Sequence, residues 1–274
     1  MACIIIKIGG ALIDAPYGAL LAADIAKLAQ CGHQLLIVHG GGPQLDHAIY
    51  QENRVPQKIA GRRITSAEDL KLAARIWKGD ISTQWVQLLF REGVSSLALT
   101  GQDAQLIQAQ KRSKSKIYTA SGVEKEVDFG FVGDIQRINV DVIKALWQAH
   151  IVPIVAPLGS SADGSLLNIN ADTIATSLSV ALQADRLILL SNIAGLLRTH
   201  QDPKSRIPSI TNIEAQKLLD DGTIRTGMRP KVESILDALH RGVTNVHLAD
   251  GRVERVLSRL AMDNETIGTH FLMK

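Results

Sequence analysis

Short runs of β-branched and aliphatic residues alternate with amphipathic stretches along nearly the whole chain. That alternation predicts an α/β fold, a mainly parallel sheet covered by helices. Cys3 to Ile8 is almost continuously apolar, as a strand buried on both faces must be. Gly9 and Gly10 end it. Tyr17 to Gln30 repeats Leu21, Ile25 and Leu28 on one stripe and meets Gly32 just past its end, which predicts a helix. Gln34 to Val38 reads as the next strand, followed by His39-Gly40-Gly41-Gly42 and by Pro43 in the first turn of another helix. Ser66 and Asp69 mark a capped helix start, with two helical segments running to about Arg91. Ser96 to Thr100 is a strand, residues 101–135 form hairpins, and a helix from about Val140 leads to the strand Ile151 to Ala156. An extended approach, Leu166 to Asp172, enters a helix at Thr173, with Asp172 as its cap. Strands Arg186–Ser191 and Asn245–Leu248 and helices Ile213–Leu219, Lys231–Leu239 and Val253–Leu260 complete the pattern.

Neither an internal repeat nor a Pro/Gly/Ser linker interrupts the 274 residues, so one unit is expected. Its lobes, about 1–160 and 161–274, part near Gly159 to Gly164. A net charge of +3 is too small to imply a nucleic-acid or anionic-membrane partner, and 4% aromatics leaves little for base stacking. Cys3 and Cys31 have neither metal-ligand nor CxxC spacing, which favours a reducing compartment. With no apolar run of about 18 residues to span a bilayer, a cytoplasmic location is expected.

Chemistry gathers at two strand–glycine turns, Lys7-Ile8-Gly9-Gly10 and His39-Gly40-Gly41-Gly42. In open parallel sheets ligands collect at such strand ends, where glycine amides and helix N-termini hold anions. A lysine ending a buried strand needs an anion or a route to water. Asn168-Ile169-Asn170-Ala171-Asp172 lines three polar side chains along one side of an extended segment. Lys231, in Thr226-Gly-Met-Arg-Pro-Lys231, opposes a helix dipole, so an anion must compensate: Asp172 or a bound phosphate. Arg63, in Gly61-Arg-Arg-Ile-Thr65, suits a carboxylate, although spacing alone favours a surface loop charge. His39 is read as packing rather than catalysis. With no G-x-S-x-G elbow and Cys3 in a core strand, this set fits phosphoryl transfer better than acyl transfer.

Motifs along the chain resemble the amino-acid kinase family: IIIKIGG (4–10), IVHGGGPQLD (37–46), GRRIT (61–65), LLNINADTIA (166–175), TGMRPKVESILDAL (226–239) and IGTHF (267–271). The resemblance implies an open αβα sandwich around a mainly parallel central sheet. It implies an N-terminal lobe that binds an acylated amino acid and dimerises, and a C-terminal lobe that binds ATP with Mg²⁺. The reaction implied moves the γ-phosphoryl group of ATP to the side-chain carboxylate of N-acetyl-L-glutamate, in arginine biosynthesis. By motif match, Lys7 and Lys231 stabilise the transferring group and Asp172 holds both. Gly10 contacts the phosphoryl; Gly41, Gly42, Arg63, Asn168 and Asn170 bind the amino-acid substrate. Ser191, Asn192, Gly195, Thr223, Ile224 and Arg225 line the nucleotide site.

The chain departs from the family pattern at Asp80-Ile81-Ser82, at Ala104 where a glycine is usual, and at Asn192 in place of a common aspartate. The chain starts directly at the first strand, without the N-terminal helix of arginine-inhibited hexamers, so an arginine-insensitive homodimer is expected. Competing substrates are N-succinylglutamate and an N-capped 2-aminoadipate, the latter suggested by ADGRVE (249–254). A non-catalytic amino-acid or nucleotide sensor is disfavoured by Lys7, Asp172 and Lys231 together, since a binder needs no charge aimed at a transition state.

Overall fold

The structure is a computed structural model that describes every residue except 15, 60, 119–123, 200–201, 225–227 and 264. The chain opens with β1 (Cys3–Ile8), α1 (Tyr17–Gln30), β2 (Gln34–His39) and α2 (Gly42–Gln51). A short hairpin, β3 (Lys58–Ile59) and β4 (Arg62–Arg63), leads to α3 (Ala67–Ala74), a π-helical turn (Arg75–Ile81) and α4 (Ser82–Arg91). Then come β5 (Ser96–Leu99), β6 (Ile107–Lys111), β7 (Ser115–Tyr118), β8 (Glu124–Val127), β9 (Gly133–Ile138) and α5 (Asp141–Gln148). The middle of the chain closes with β10 (Val152–Val155), β11 (Leu158–Ser160), β12 (Leu166–Asn168), α6 (Ala171–Ala181) and β13 (Arg186–Ser191). Last are β14 (Ser209–Thr211), α7 (Asn212–Asp220), α8 (Arg229–His240), β15 (Val246–Asp250), α9 (Val256–Ala261) and β16 (Thr269–Leu272).

Eight strands form one sheet in the order β14-β16-β15-β13-β1-β2-β10-β5. Every neighbouring pair is parallel except β15 with β16. This is the expected mainly parallel αβα sandwich. From β1 the chain builds outward through β2 on one side and later through β13 on the other, so the sheet changes direction at β1. Such a switch point leaves a crevice at the strand ends, where ligands bind in open α/β sheets.

The period-two alternation of a strand decides which face each side chain meets. Ile4, Ile6 and Ile8 pack with Leu21 and Ile25 of α1, Trp85 of α4 and Leu257 of α9. Cys3 and Ile5 face the other way, onto Ile174 and Leu178 of α6 and Val232 and Ile235 of α8. Lys7 continues this second row. Burial pushes the Cys3 thiol up to about 12, so it is a core group and not a nucleophile.

Three features depart from the sequence reading, and a fourth bears on a position it singled out. Helix α6 begins at Ala171 and its cap is Asn170, not Asp172; the Asn170 side chain accepts the amides of Asp172 (2.7 Å) and Thr173 (3.4 Å). Strands β14 and β16 were not expected. Both are short, and β16 alternates buried and half-buried residues at the sheet's margin. The helical segments before Arg91 join through the π turn. Ala104, where the family pattern has glycine, is held in the left-handed region at φ +50°.

Candidate functional site

Lys7 sits one residue from the end of β1, and its place in the Cys3–Ile5 row sends its side chain toward α6, not into solvent. It is 6% exposed. A lone ammonium there would be severely desolvated, and its partner comes from the N-terminus of α6. Because Asn170 does the capping, the carboxylate of Asp172 is free of that duty. Its Oδ1 lies 2.8 Å from Lys7 Nζ and its Oδ2 2.9 Å from Lys231 Nζ, in the first turn of α8. One buried carboxylate thus bridges two ammonium groups from distant parts of the chain. Burial lowers the Lys7 pKa to about 8 against the pull of Asp172, with the Lys231 charge adding to the lowering. Burial alone would raise Asp172, yet the two lysines outweigh it and hold its carboxyl well below the usual range.

Lys7 and Asp172 border a cavity of ≈ 550 Å³ at the C-terminal ends of β1 and β2, and Lys231 stands behind Asp172. Gly42 of α2, Ala171 to Thr173 of α6 and Pro230 of α8 all line it, so three helices present their N-termini there. First-turn amides have no intrahelical acceptor, and each helix end carries a partial positive charge. Lys7, Lys58, Arg62, Arg63 and Arg112 outnumber Asp172, Glu233 and Asp237 in the lining, so the cavity is electrostatically suited to an anion.

The two glycine turns fold against each other in its wall. The Gly40 amide donates to Ile8 O (2.8 Å), and Gln44 Nε2 donates to Gly10 O (2.9 Å). A side chain at Gly10 would sit 2.8 Å from Pro43 Cδ, and one at Gly41 only 2.4 Å from the Trp77 ring. Both positions therefore require glycine.

At the other end of the cavity stand Arg63 and Asn168. The Arg63 side chain is 10% exposed. Its Nη2 donates to Asp46 Oδ1 (2.5 Å) and Gly42 O (3.3 Å), while Nη1 is buried without a partner. Such a fork presents its free edge to a second carboxylate. Asn168 Nδ2 donates to Thr65 Oγ1 (2.9 Å), and Asn170 lines the same wall.

Most of the expected residues are thus brought together: Lys7, Gly10, Gly41, Gly42, Arg63, Asn168, Asn170 and Asp172 share the cavity, and Lys231 joins through Asp172. The expected nucleotide residues do not line it. Ser191 ends β13 beside Gly9, and the exposed Asn192 follows. Gly195, at φ +128°, packs on Thr269, where a side chain would approach Oγ1 to 2.7 Å. Thr223 is exposed, whereas Ile224 is 3% exposed and belongs to the core, so any ligand contact there falls to its backbone. Arg225 lies outside the described residues. His39 faces the α4 side and lies outside the cavity lining.

The sequence reading missed Trp77, Arg112, Glu233 and Asp237, which also line the cavity. Pro230, Glu233, Ser234 and Asp237 recur with helical spacing from the Lys231 motif, so that stripe was available to find. Trp77 carried no such signal, because the π turn resets the helical phase.

A sequence model described as the Amino acid kinase family matches residues 2–250. An acetylglutamate kinase from Methanosphaera stadtmanae is 35% identical over 97% of this chain and 90% of its own. One from Methanobrevibacter smithii is 37% identical over 97% and 91%. Among solved structures, the crystal structure of smu.665 from Streptococcus mutans UA159 superposes with a TM-score of 0.80 at 30% identity. The match covers 98% of each chain.

Proposed function

The chain belongs to the amino acid kinase family, and from that premise we propose that it phosphorylates the side-chain carboxylate of N-acetyl-L-glutamate with ATP. The acyl phosphate formed would serve arginine biosynthesis. One observation carries the reading: a buried and a half-buried ammonium group share the Asp172 carboxylate where three helix N-termini converge. Phosphoryl transfer demands positioning and compensation of charge on the equatorial oxygens, with no protein nucleophile. In this reading Lys7 and Lys231 approach the transferring group from two sides, and Asp172 sets their spacing. Gly10, Gly41 and Gly42 donate amide N–H bonds to the phosphoryl and to the attacking carboxylate. Arg63 uses its unpartnered Nη1 to hold the substrate α-carboxylate, beside Asn168 and Asn170.

ATP would reach this point from the β13 side, along Ser191, Asn192, Gly195, Thr223, the Ile224 backbone and Arg225. Mg²⁺ fits as an ion carried on the nucleotide. Asp172 is taken by two lysines, and no group of three His, Cys, Asp or Glu converges among the described residues. Bound there, it would offset charge on the β- and γ-phosphates. We assign amino-acid binding and dimerisation to the lobe of about residues 1–160 and nucleotide binding to about 161–274. A homodimer is supported by Phe90, 79% exposed, and Leu97, 43% exposed, beside the sheet-edge strand β5. Dependence on ATP supports a cytoplasmic setting, and no described helix is long and apolar enough to cross a membrane.

Trapping the acyl phosphate as a hydroxamate tests the reading, with N-acetylglutamate, N-succinylglutamate and N-acetyl-2-aminoadipate compared at equal concentration. N-acetylglutamate should give the highest kcat/KM. Preference for either competitor would replace the substrate, and no hydroxamate from any would end the kinase reading. Arg63→Ala should raise the amino-acid KM by about 10- to 100-fold, the worth of a hydrogen bond to a charged group. A change confined to the ATP KM would remove Arg63 from the substrate site.

A further inference from the structure

Two side chains outside the proposed catalytic set hold the successive carbonyls of the glycine turn. His39 Nδ1 lies 2.8 Å from Gly40 O, and Trp77 Nε1 donates to Gly41 O at 3.0 Å. A carbonyl can only accept, so Nδ1 of His39 carries its proton. Ser82 Oγ stands between the ring and the π turn, 3.0 Å from His39 Nε2 and 2.8 Å from Trp77 O. All three side chains are buried: His39 and Ser82 are 0% exposed and Trp77 is 4% exposed.

In a trans peptide the N–H points opposite to the preceding C=O. Fixing Gly40 O therefore aims the Gly41 amide, and fixing Gly41 O aims the Gly42 amide. Gly41 O also accepts from Leu45 N (3.0 Å) along the axis of α2, so the Gly42 N–H projects off the helix N-terminus. That terminus lines the cavity. We propose that His39, Ser82 and Trp77 form a positioning network that locks the amides of Gly41 and Gly42 onto the anion in the cavity. This rests on the kinase reading above and adds residues that act on the anion through the glycine amides, Trp77 from the cavity wall and His39 and Ser82 from behind it.

The π turn is the means. Ser82 N–H reaches back to Trp77 O, and Ser82 lies within the run that departs from the family pattern. The extra residue in that turn brings the indole under Gly41 while Ser82 meets His39. Charge stabilisation by amides works only if they are aligned before the charge develops, so losing the alignment lowers kcat and leaves ground-state binding intact.

Steady-state hydroxamate kinetics on Trp77→Phe tests this, since phenylalanine keeps a ring over Gly41 and loses the indole N–H. Expected is a fall in kcat of about tenfold, the worth of one hydrogen bond, with both KM values within twofold. Ser82→Ala, which removes a single oxygen, should lower kcat in the same manner. In the unaltered protein, Gly41 and Gly42 amide resonances should shift when ADP, aluminium fluoride and N-acetylglutamate are added together. Unchanged kcat in the folded variants, a loss explained by a smaller folded fraction, or glycine resonances that stay still would overturn the network. Absence of hydroxamate from the unaltered protein would instead strike the kinase reading, so the two failures are distinguishable.

Discussion

Lys7 and His39 end adjacent strands of one sheet, one residue apart in register, and meet opposite fates. Both are buried, so both lose the hydration that favours their charged forms. On the α6 face a carboxylate and a second cation stand ready, and Lys7 stays a cation up to a pKa of about 8. On the α4 face only a hydroxyl and a carbonyl are present, and burial takes His39 down to about 4. The neutral ring becomes a directional hydrogen-bonding strut, and the ammonium becomes a source of field. Depth is nearly the same; what differs is whether a counter-charge was folded in beside it.

Removing the counter-charge should make the charged side behave like the neutral one. In Asp172→Asn, Lys7 loses the group that keeps its pKa up, and kcat should fall at least about 10³-fold, beyond the usual loss of a single stabilising group. Global stability should fall by about 3 kcal/mol or more, since breaking a buried pair leaves charge uncompensated. Single-turnover kinetics and urea unfolding read the two effects, and an unperturbed kcat would refute the Asp172 role. Next in size is Lys231→Ala, which should cost about 10²-fold in kcat with small changes in KM. It also removes a like charge from Lys7, so the Lys7 pKa should move up from about 8.

A pH profile sharpens the same contrast. As pH rises through about 8 the free enzyme loses the Lys7 proton, so kcat/KM should drop about tenfold per unit beyond that point. Lys7→Arg should show no such limb. The smallest effect lies on the other face. His39 is neutral when folded down to about 4, whereas an unfolded histidine titrates near 6.5. Between those values the unfolded chain binds more protons, so stability is full above pH 6.5 and declines as pH falls toward 4. His247, lowered to about 3 by burial first and then by the neighbouring His270 and Arg186, contributes in the same direction. Urea unfolding at pH 7 and 5 measures the loss, and equal midpoints would show both rings already charged in the fold.

What the sequence revealed divides along the same physical line. Lys7, the two glycine turns and the 168–172 cluster were legible because strand alternation and turn chemistry are local, whereas Arg63 read locally as a surface charge and gained its role only through the family motif. That an anion compensates Lys231 was legible too, because a cation at a helix N-terminus requires one, but the choice between Asp172 and a bound phosphate was left open. Which residue capped α6 was not legible: Asn170 and Asp172 are both good caps, and only the approach of two lysines separates their roles. Trp77 was hidden because its position depends on hydrogen-bond spacing inside the π turn. Strands β14 and β16 escaped because each is short and finds its register only by pairing: β16 on β15, and β14 on β16, about 60 residues away in sequence. The nucleotide side was readable only through family likeness, since exposed loop residues such as Asn192 and Thr223 carry no local pattern.

The Lys7–Asp172–Lys231 bridge has a consequence for the life of the chain. Its last member is made 224 residues after its first. A nascent chain can therefore build most of the sheet and still be chemically silent, with the receptor for phosphate switched on as α8 docks. Cutting an exposed loop and keeping both pieces would preserve that bridge, whereas a chain stopped before α8 would leave Asp172 with half its grip.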